Sequence, residues 1–324
     1  MKPLNIAIVG ATGMVGRKML DILSEYQIPI NKLYLFASGK SAGKTLKVNN
    51  QEYPIYELTE SSFDESIDVA LFSAGATVSL QYAPLAKEKG ILVIDNSSAF
   101  RNDDDIPLIV PEININKVKD HLIIANPNCS TIQSVLPLKI LDNLFGLSRV
   151  VYTTFQAVSG SGNKGIDAYN EKENQNFYPK TIFGNVVPHI DVFLDNGYTK
   201  EEMKMILETR KILGIKDLAV TATCVRVPVL NGHSVSINVT CKEPVDLEIL
   251  KEAFNNALGI TYLDTPNYTT PLDLNQTDSV YISRLRHDDS QKNSINFWVV
   301  ADNIRKGAAS NAVQILKALK EAKQ

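Results

Sequence analysis

Residues 4–16 read "LNIAIVGATGMVG". The first six are short, apolar and β-rich, the pattern of a strand buried on both faces of a parallel sheet. They run into Gly10, Gly13 and Gly16, spaced GxxGxxG, and residues 13–26 have a helical period. Strand, glycine turn and helix in that order suit a dinucleotide. The turn must be tight, its amides must face a pyrophosphate, and the helix must pack closely on the strand.

Working outward, further compact apolar runs stand at 33–37, 69–74, 91–96 and 122–126, with a helical stretch at 77–89. Strands alternating with helices predict a doubly wound α/β domain. After about residue 147 the pattern changes. Longer alternating runs at 150–158, 219–229 and 233–241 predict an antiparallel sheet with unequal faces. Helices are expected over 163–177 and 199–213. The end, "NIRKGAASNAVQILKALKEAK", has a helical period and is expected to close back on the first domain.

The bulk numbers exclude several classes. The 324 residues suit two domains. With 44% hydrophobic residues, 21% charged residues and a net charge of -3, nothing points to nucleic acid or an anionic membrane. No apolar run approaches the about 18 residues that span a bilayer. No signal peptide is read at the start. Three cysteines without a CxxC fit a reduced cytoplasmic protein. The four histidines are scattered, so no metal site is expected.

The second strand ends in "ASGKSAGK" (37–44), with Ser38, Lys40 and Ser41 where an NAD site usually carries a carboxylate. Hydroxyls and a lysine suit a 2′-phosphate, which points to NADP. Residues 126–131 read "NPNCST". Asn128 is a good N-cap, so Cys129 would open a helix, where the dipole eases loss of the thiol proton. A lone cysteine is more often inert core. This one stands at the carboxyl end of a parallel strand, where α/β sheets place ligands. Cys241 shares parity with Val235, Ile237 and Val239 and reads as core. A thiolate beside a nicotinamide site suits oxidation of an aldehyde through a thioester, or its reverse. That step calls for a base. His233, in "RVPVLNGHS" and seven residues after Arg226, is the candidate, against the plainer reading of a surface turn histidine.

The motifs "GATGMVG", "ASGKSAGK", "DNSSAFR", "PNCST", "FQAVSGSG", "CVRVPVLNGHS" and "DNIRKGAASNAVQI" occur in the order found in aspartate-β-semialdehyde dehydrogenases. The chain resembles that family from residue 5 to about 315, and most of all the form common in Gram-positive bacteria. The resemblance implies reversible, NADP-dependent conversion of L-aspartate 4-semialdehyde and phosphate to L-4-aspartyl phosphate. That reaction lies on the route to lysine, methionine and threonine.

By the same resemblance, Cys129 is the thioester nucleophile, His233 the acid/base and Gln156 the residue that positions substrate in the thiol pocket. Arg226 grips the substrate carboxylate, for which a planar fork is apt. Glu201 faces the substrate ammonium. Arg101, Asn128 and Lys204 contact phosphate. Gly10, Thr12, Gly13, Met14, Val15, Ser38, Lys40, Ser41, Ser159, Gly160 and Asn311 belong to the cofactor site. Lys40 stands where the family usually has arginine, which keeps the charge but weakens stacking on adenine.

The expected fold is α/β: a Rossmann-type doubly wound domain over 1–128, completed by a C-terminal helix over 303–324, and an α+β catalytic and dimerisation domain over 129–302. A homodimer is expected. Two rivals share the chemistry. Around the thiol, glyceraldehyde-3-phosphate dehydrogenases usually read "SCTTN" and N-acetyl-glutamyl-phosphate reductases "GCYP", unlike this chain. A non-catalytic Rossmann-type module is the alternative from another class, and Cys129, Gln156, Arg226 and His233 together speak against it.

Overall fold

The computed structural model describes residues 2–171 and 177–322. The chain divides into two compact units, Met1–Pro127 with Ala308–Gln324, and Asn128–Gly307.

The first unit runs β1 (Leu4–Val9), α1 (Met14–Glu25), β2 (Ile30–Ala37), β3 (Thr45–Val48), β4 (Gln51–Glu57), β5 (Val69–Phe72), α2 (Ala76–Glu88), β6 (Leu92–Asp95), α3 (Pro111–Asn114) and β7 (Ile123–Ala125). Its seven-stranded sheet has the order β3-β4-β2-β1-β5-β6-β7. All pairs are parallel except β3 with β4. Strand order therefore reverses at β1, the kind of switch point where open α/β sheets bind ligands. The quoted glycine turn stands there. Gly10 has φ +88°, and a Cβ on it would lie 2.9 Å from the Ser73 carbonyl. A Cβ on Gly16 would collide with the Gly10 carbonyl, so only glycine lets α1 pack this closely. The β3–β4 hairpin was not expected. Its turn residues Asn49 and Asn50 have φ +48° and +66°, which asparagine tolerates well, and an Asn-Asn pair between polar strands is a weak signal.

The second unit runs α4 (Cys129–Phe145), β8 (Leu147–Gln156), α5 (Asn163–Asn170), α6 (Lys200–Leu213), β9 (Ala219–Arg226), β10 (His233–Cys241), α7 (Leu247–Asn255), β11 (Ile260–Tyr262), β12 (Val280–His287) and β13 (Ser294–Ala301). Its sheet has the order β11-β12-β13-β10-β8-β9. It is mixed rather than antiparallel as expected, because β8 pairs parallel with β9 and β11 parallel with β12. The first of these pairs has α5 and α6 in its connection, the crossover that parallel strands require. Strands β12 and β13 were not anticipated. In β12, Arg284 takes φ +58° and the register shifts between Ser283 and Arg286, a bulge that breaks the period of two. The expected helix over 163–177 ends at Asn170, and residues 172–176 lie outside the described residues.

The chain then returns to the first unit in α8 (Ser310–Glu321). The helix starts later than the expected 303, because Arg305–Ala309 form a π turn. Ala312, Val313, Ile315 and Leu316 of α8 join Met19, Ile22 and Leu23 of α1 in one buried cluster.

Candidate active site

Three residues separate the end of β7 from α4, and α4 begins at Cys129. The Asn128 side chain accepts from the N–H groups of Ser130 (2.9 Å) and Thr131 (3.3 Å), an N-cap that stabilises such a helix by about 1 kcal/mol. Cys129 is half-buried, whereas Cys224 and Cys241 are buried. Burial raises both of those thiols, Cys241 to about 11, so they remain protonated. A Cβ on Gly307 would lie 2.9 Å from the Cys129 Cβ. Glycine at 307 is what gives the thiol its place.

Strands β8 and β9 pair in parallel with Gln156 opposite Arg226, and β10 begins at His233. The Ala157 amide donates to His233 Nδ1 at 3.0 Å. A lone pair therefore occupies Nδ1, and the hydrogen of the neutral ring is on Nε2. Burial first, and the Arg226 charge second, push His233 down to about 3, with Glu201 opposing. Gln133, one turn along α4 from Cys129, donates to the His233 carbonyl at 3.1 Å. The Arg226 Nη1 group donates to the Ala157 carbonyl at 2.6 Å. Two buried donors, Arg226 Nε and His233 Nε2, have no hydrogen-bond partner among the described residues. A Cβ on Gly160 would press on both side chains, 3.0 Å from Arg226 Nη1 and 3.1 Å from His233 Nε2.

Helix α6 begins with a capping box, Thr199 with Glu202. Its first turn carries Glu201, only 6% exposed. The carboxylate accepts from Asn128 Nδ2 (2.8 Å), Gln156 Nε2 (3.0 Å) and Lys204 Nζ (3.0 Å). Burial pushes Glu201 up, but the Lys204 charge and these bonds outweigh it and hold the group at about 2. Lys204 also donates to Asp191 at 3.0 Å. Burial lowers its pKa, but the two carboxylates hold it above its ordinary value.

The second unit thus brings together Cys129, Asn128, Gln156, Glu201 and Lys204 on one side of the network, and Gly160, Arg226 and His233 around the Ala157 peptide. Arg101, grouped with Asn128 and Lys204 from the sequence, belongs to the first unit, where it donates to the carbonyls of Asn126 and Asn96, both at 2.9 Å. Ser38 and Lys40 are exposed in the loop after β2, and Ser41 donates its amide to Ser38 at 2.8 Å. The α1 N-terminus has no side-chain cap, so amides near Thr12, Met14 and Val15 suit a pyrophosphate.

Three of the expected site residues have their side chains engaged within the protein. Asn311 was expected at the cofactor. It is fully buried and ties Ile109 (3.0 Å) to Asn126 (2.7 Å) through its amide. The Ser159 hydroxyl is taken up by Asn231 and Asn303, and its amide and carbonyl bond Leu230 and Gly162. His233, expected as the acid/base, accepts the Ala157 amide at Nδ1, which assigns the hydrogen of the neutral ring to Nε2. Two residues were missed, Gly307 and Glu208. Glu208 is 1% exposed and accepts the Asn128 amide at 2.6 Å. Its spacing of seven from Glu201 on a helix was the available signal.

Comparison with known proteins agrees with this architecture. Residues 5–121 match the family model "Semialdehyde dehydrogenase, NAD binding domain", and residues 138–306 match "Semialdehyde dehydrogenase, dimerisation domain". Fold and site together define a semialdehyde dehydrogenase with a nicotinamide-dinucleotide-binding domain. The aspartate-semialdehyde dehydrogenase of Aquifex aeolicus is 46% identical over 97% of both chains, and that of Bacillus subtilis 42% identical over 98% of both. The crystal structure of aspartate semialdehyde dehydrogenase II from Vibrio cholerae superposes with a TM-score of 0.94 at 42% identity over 99% of each chain. A second structure of that protein is complexed with ASA. The chain belongs to the aspartate-semialdehyde dehydrogenase family. No helix among the described residues is long and apolar enough to cross a membrane.

Proposed function

We propose that the protein catalyses the reversible, NADP-dependent conversion of L-aspartate 4-semialdehyde and phosphate to L-4-aspartyl phosphate through a thioester on Cys129. It works as a cytoplasmic homodimer in the biosynthesis of lysine, methionine and threonine. The observation that carries this reading is the pair of buried, unpartnered donors, Arg226 Nε and His233 Nε2, flanking Gly160 in the unit that holds Cys129. A substrate with a carboxylate and a reacting carbonyl oxygen satisfies both.

Cys129 reacts as the thiolate, having already lost its proton to solvent. Its sulfur adds to the aldehyde carbon, and the carbonyl oxygen becomes an oxyanion. His233 donates its Nε2–H to that oxygen, and Arg226 holds the carboxylate. The nicotinamide, when bound, supplies hydride chemistry by taking the hydrogen from the same carbon. A phosphate oxygen then attacks the thioester carbon, His233 supports the second oxyanion, and the Cys129 thiolate leaves. Because the thiol ionises first, no base is needed at the carbonyl oxygen. Gln156 and Glu201 orient the substrate, and Lys204 with Arg101 supplies positive charge for phosphate. The glycine turn holds the cofactor pyrophosphate, and Ser38, Lys40 and Ser41 read its 2′-phosphate.

The test is reduction of NADP by aspartate semialdehyde with and without phosphate. Sustained turnover that requires phosphate supports the reading. No reduction, or turnover indifferent to phosphate, contradicts it.

A further inference from the structure

At a helix N-terminus the N-cap residue has two needs. Its side chain accepts from amides in the first turn, and its own amide needs an acceptor, commonly the side chain three residues on. Helix α6 meets both locally: Thr199 Oγ1 accepts from the Glu202 amide at 3.3 Å, and Glu202 Oε2 accepts from the Thr199 amide at 2.7 Å. Helix α4 does not. Its third residue is Thr131, whose hydroxyl donates to Met205 Sδ at 3.4 Å. The Asn128 amide goes instead to Glu208 Oε2, at 2.6 Å, on a different helix. One and the same face of α6 also supplies Glu201, which accepts from the Asn128 side chain at 2.8 Å. Asn128 is therefore held at both its backbone and its side chain by α6, one residue before the thiol.

We infer that Glu208 is a positioning residue for Cys129, completing the α4 cap from α6 and so fixing the nucleophile relative to the substrate-binding residues of that helix. A carboxylate bonded to a backbone amide in a buried place is short, directional and charge-assisted. Its partner residue adjoins Cys129, so loosening the bond lets the sulfur drift while leaving Glu201, Lys204 and Arg226 where they are. Misplacing a reacting atom by about 1 Å costs on the order of a hundredfold in rate. This rests on the proposed role of Cys129 as nucleophile.

The experiment compares wild type with Glu208→Gln, Glu208→Asp and Glu208→Leu. Four readouts are taken: thermal unfolding, kcat and KM for aspartate semialdehyde, the rate of Cys129 alkylation by iodoacetamide, and the amide proton shift of Asn128. Glutamine keeps an acceptor oxygen at the same reach, so Glu208→Gln should keep kcat within about threefold of wild type. Glu208→Leu should fold and lose about tenfold to a hundredfold in kcat. Its KM should stay within about twofold, and its alkylation, which needs no alignment with substrate, within about threefold. Aspartate keeps the charge but falls one methylene short, so Glu208→Asp should lose kcat although its charge is intact. If leucine prevents folding, the aspartate variant decides. The Asn128 amide should resonate far downfield in wild type and move upfield in the aspartate and leucine variants.

Wild-type turnover in folded Glu208→Asp or Glu208→Leu overturns the inference. So does a loss in Glu208→Gln equal to that in Glu208→Leu, or alkylation falling in step with turnover. Should wild type itself fail to reduce NADP, the functional reading fails. The amide shifts then still report whether Glu208 holds Asn128.

Discussion

His233 is where local hydrogen bonding decides chemistry. The Ala157 amide occupies Nδ1, so the neutral ring offers Nε2–H, the donor that the proposed reaction uses in either direction. His233→Ala should lower kcat by about a hundredfold to a thousandfold, the usual scale for losing one oxyanion donor. His233→Gln, which can present an amide N–H, should recover at least about tenfold of that loss. Steady-state kinetics check this, and a glutamine variant as dead as alanine would restore the base. Arg226 has a different task. Its fork is fixed by the Ala157 carbonyl at 2.6 Å, and lysine cannot copy its remaining donors. Arg226→Lys should cost about 1.5–3 kcal/mol of transition-state binding, the worth of a charge-assisted bond, read as a fall in kcat/KM. The sequence disclosed these residue types through their motifs. It did not disclose which histidine nitrogen carries the hydrogen, because that depends on an amide 76 positions away in the chain.

Among the elements, α4 and α6 carry most of the site. Their sequence signals differ in kind. The α6 cap is local, with Thr199, Glu202 and the left-handed Gly214 at its end, and a helix over 199–213 was readable from that stretch alone. The α4 cap is half local: Asn128 was legible as a cap, but Glu208 was not, since its partner lies 80 residues back. Strands β1, β2, β5, β6 and β7 were legible because their apolar runs are continuous, whereas β3 and β4 are largely polar and β12 was hidden by the bulge at Arg284. Gly307 was missed for a similar reason, its close neighbour being Cys129 rather than anything nearby in sequence. Gly307→Ala should push against the start of α4 and lower kcat by at least about tenfold, with a cooperative unfolding transition retained. Kinetics beside thermal melts check it, and unchanged turnover would show that the thiol tolerates the shift. In the loop after β2, Lys40→Ala should raise the KM for NADP far more than that for NAD. Equal effects would mean that this loop does not read the 2′-phosphate.

The whole molecule carries these site groups as a stability cost or gain that depends on pH. His233 has an ordinary value of 6.5, and in the fold it is held at about 3 by burial first and Arg226 second, against Glu201. Between those values the unfolded chain binds a proton that the folded chain refuses. Stability from this group is therefore complete above about 6.5 and is lost as pH falls toward 3. Glu201, held at about 2 against an ordinary 4.5, adds a second loss below about 4.5. The unfolding temperature should fall from pH 7 to pH 5 in wild type and fall less in His233→Gln, where the first group is gone. Parallel curves would mean that His233 is not buried neutral.

Whether Cys129 forms the thioester can be measured without any cofactor. The protein is incubated with L-4-aspartyl phosphate and its peptides are mapped by mass spectrometry. One aspartyl group is expected on Cys129, with phosphate released, and none in Cys129→Ala. An adduct on another residue, or its persistence in the alanine variant, would contradict a thioester on Cys129.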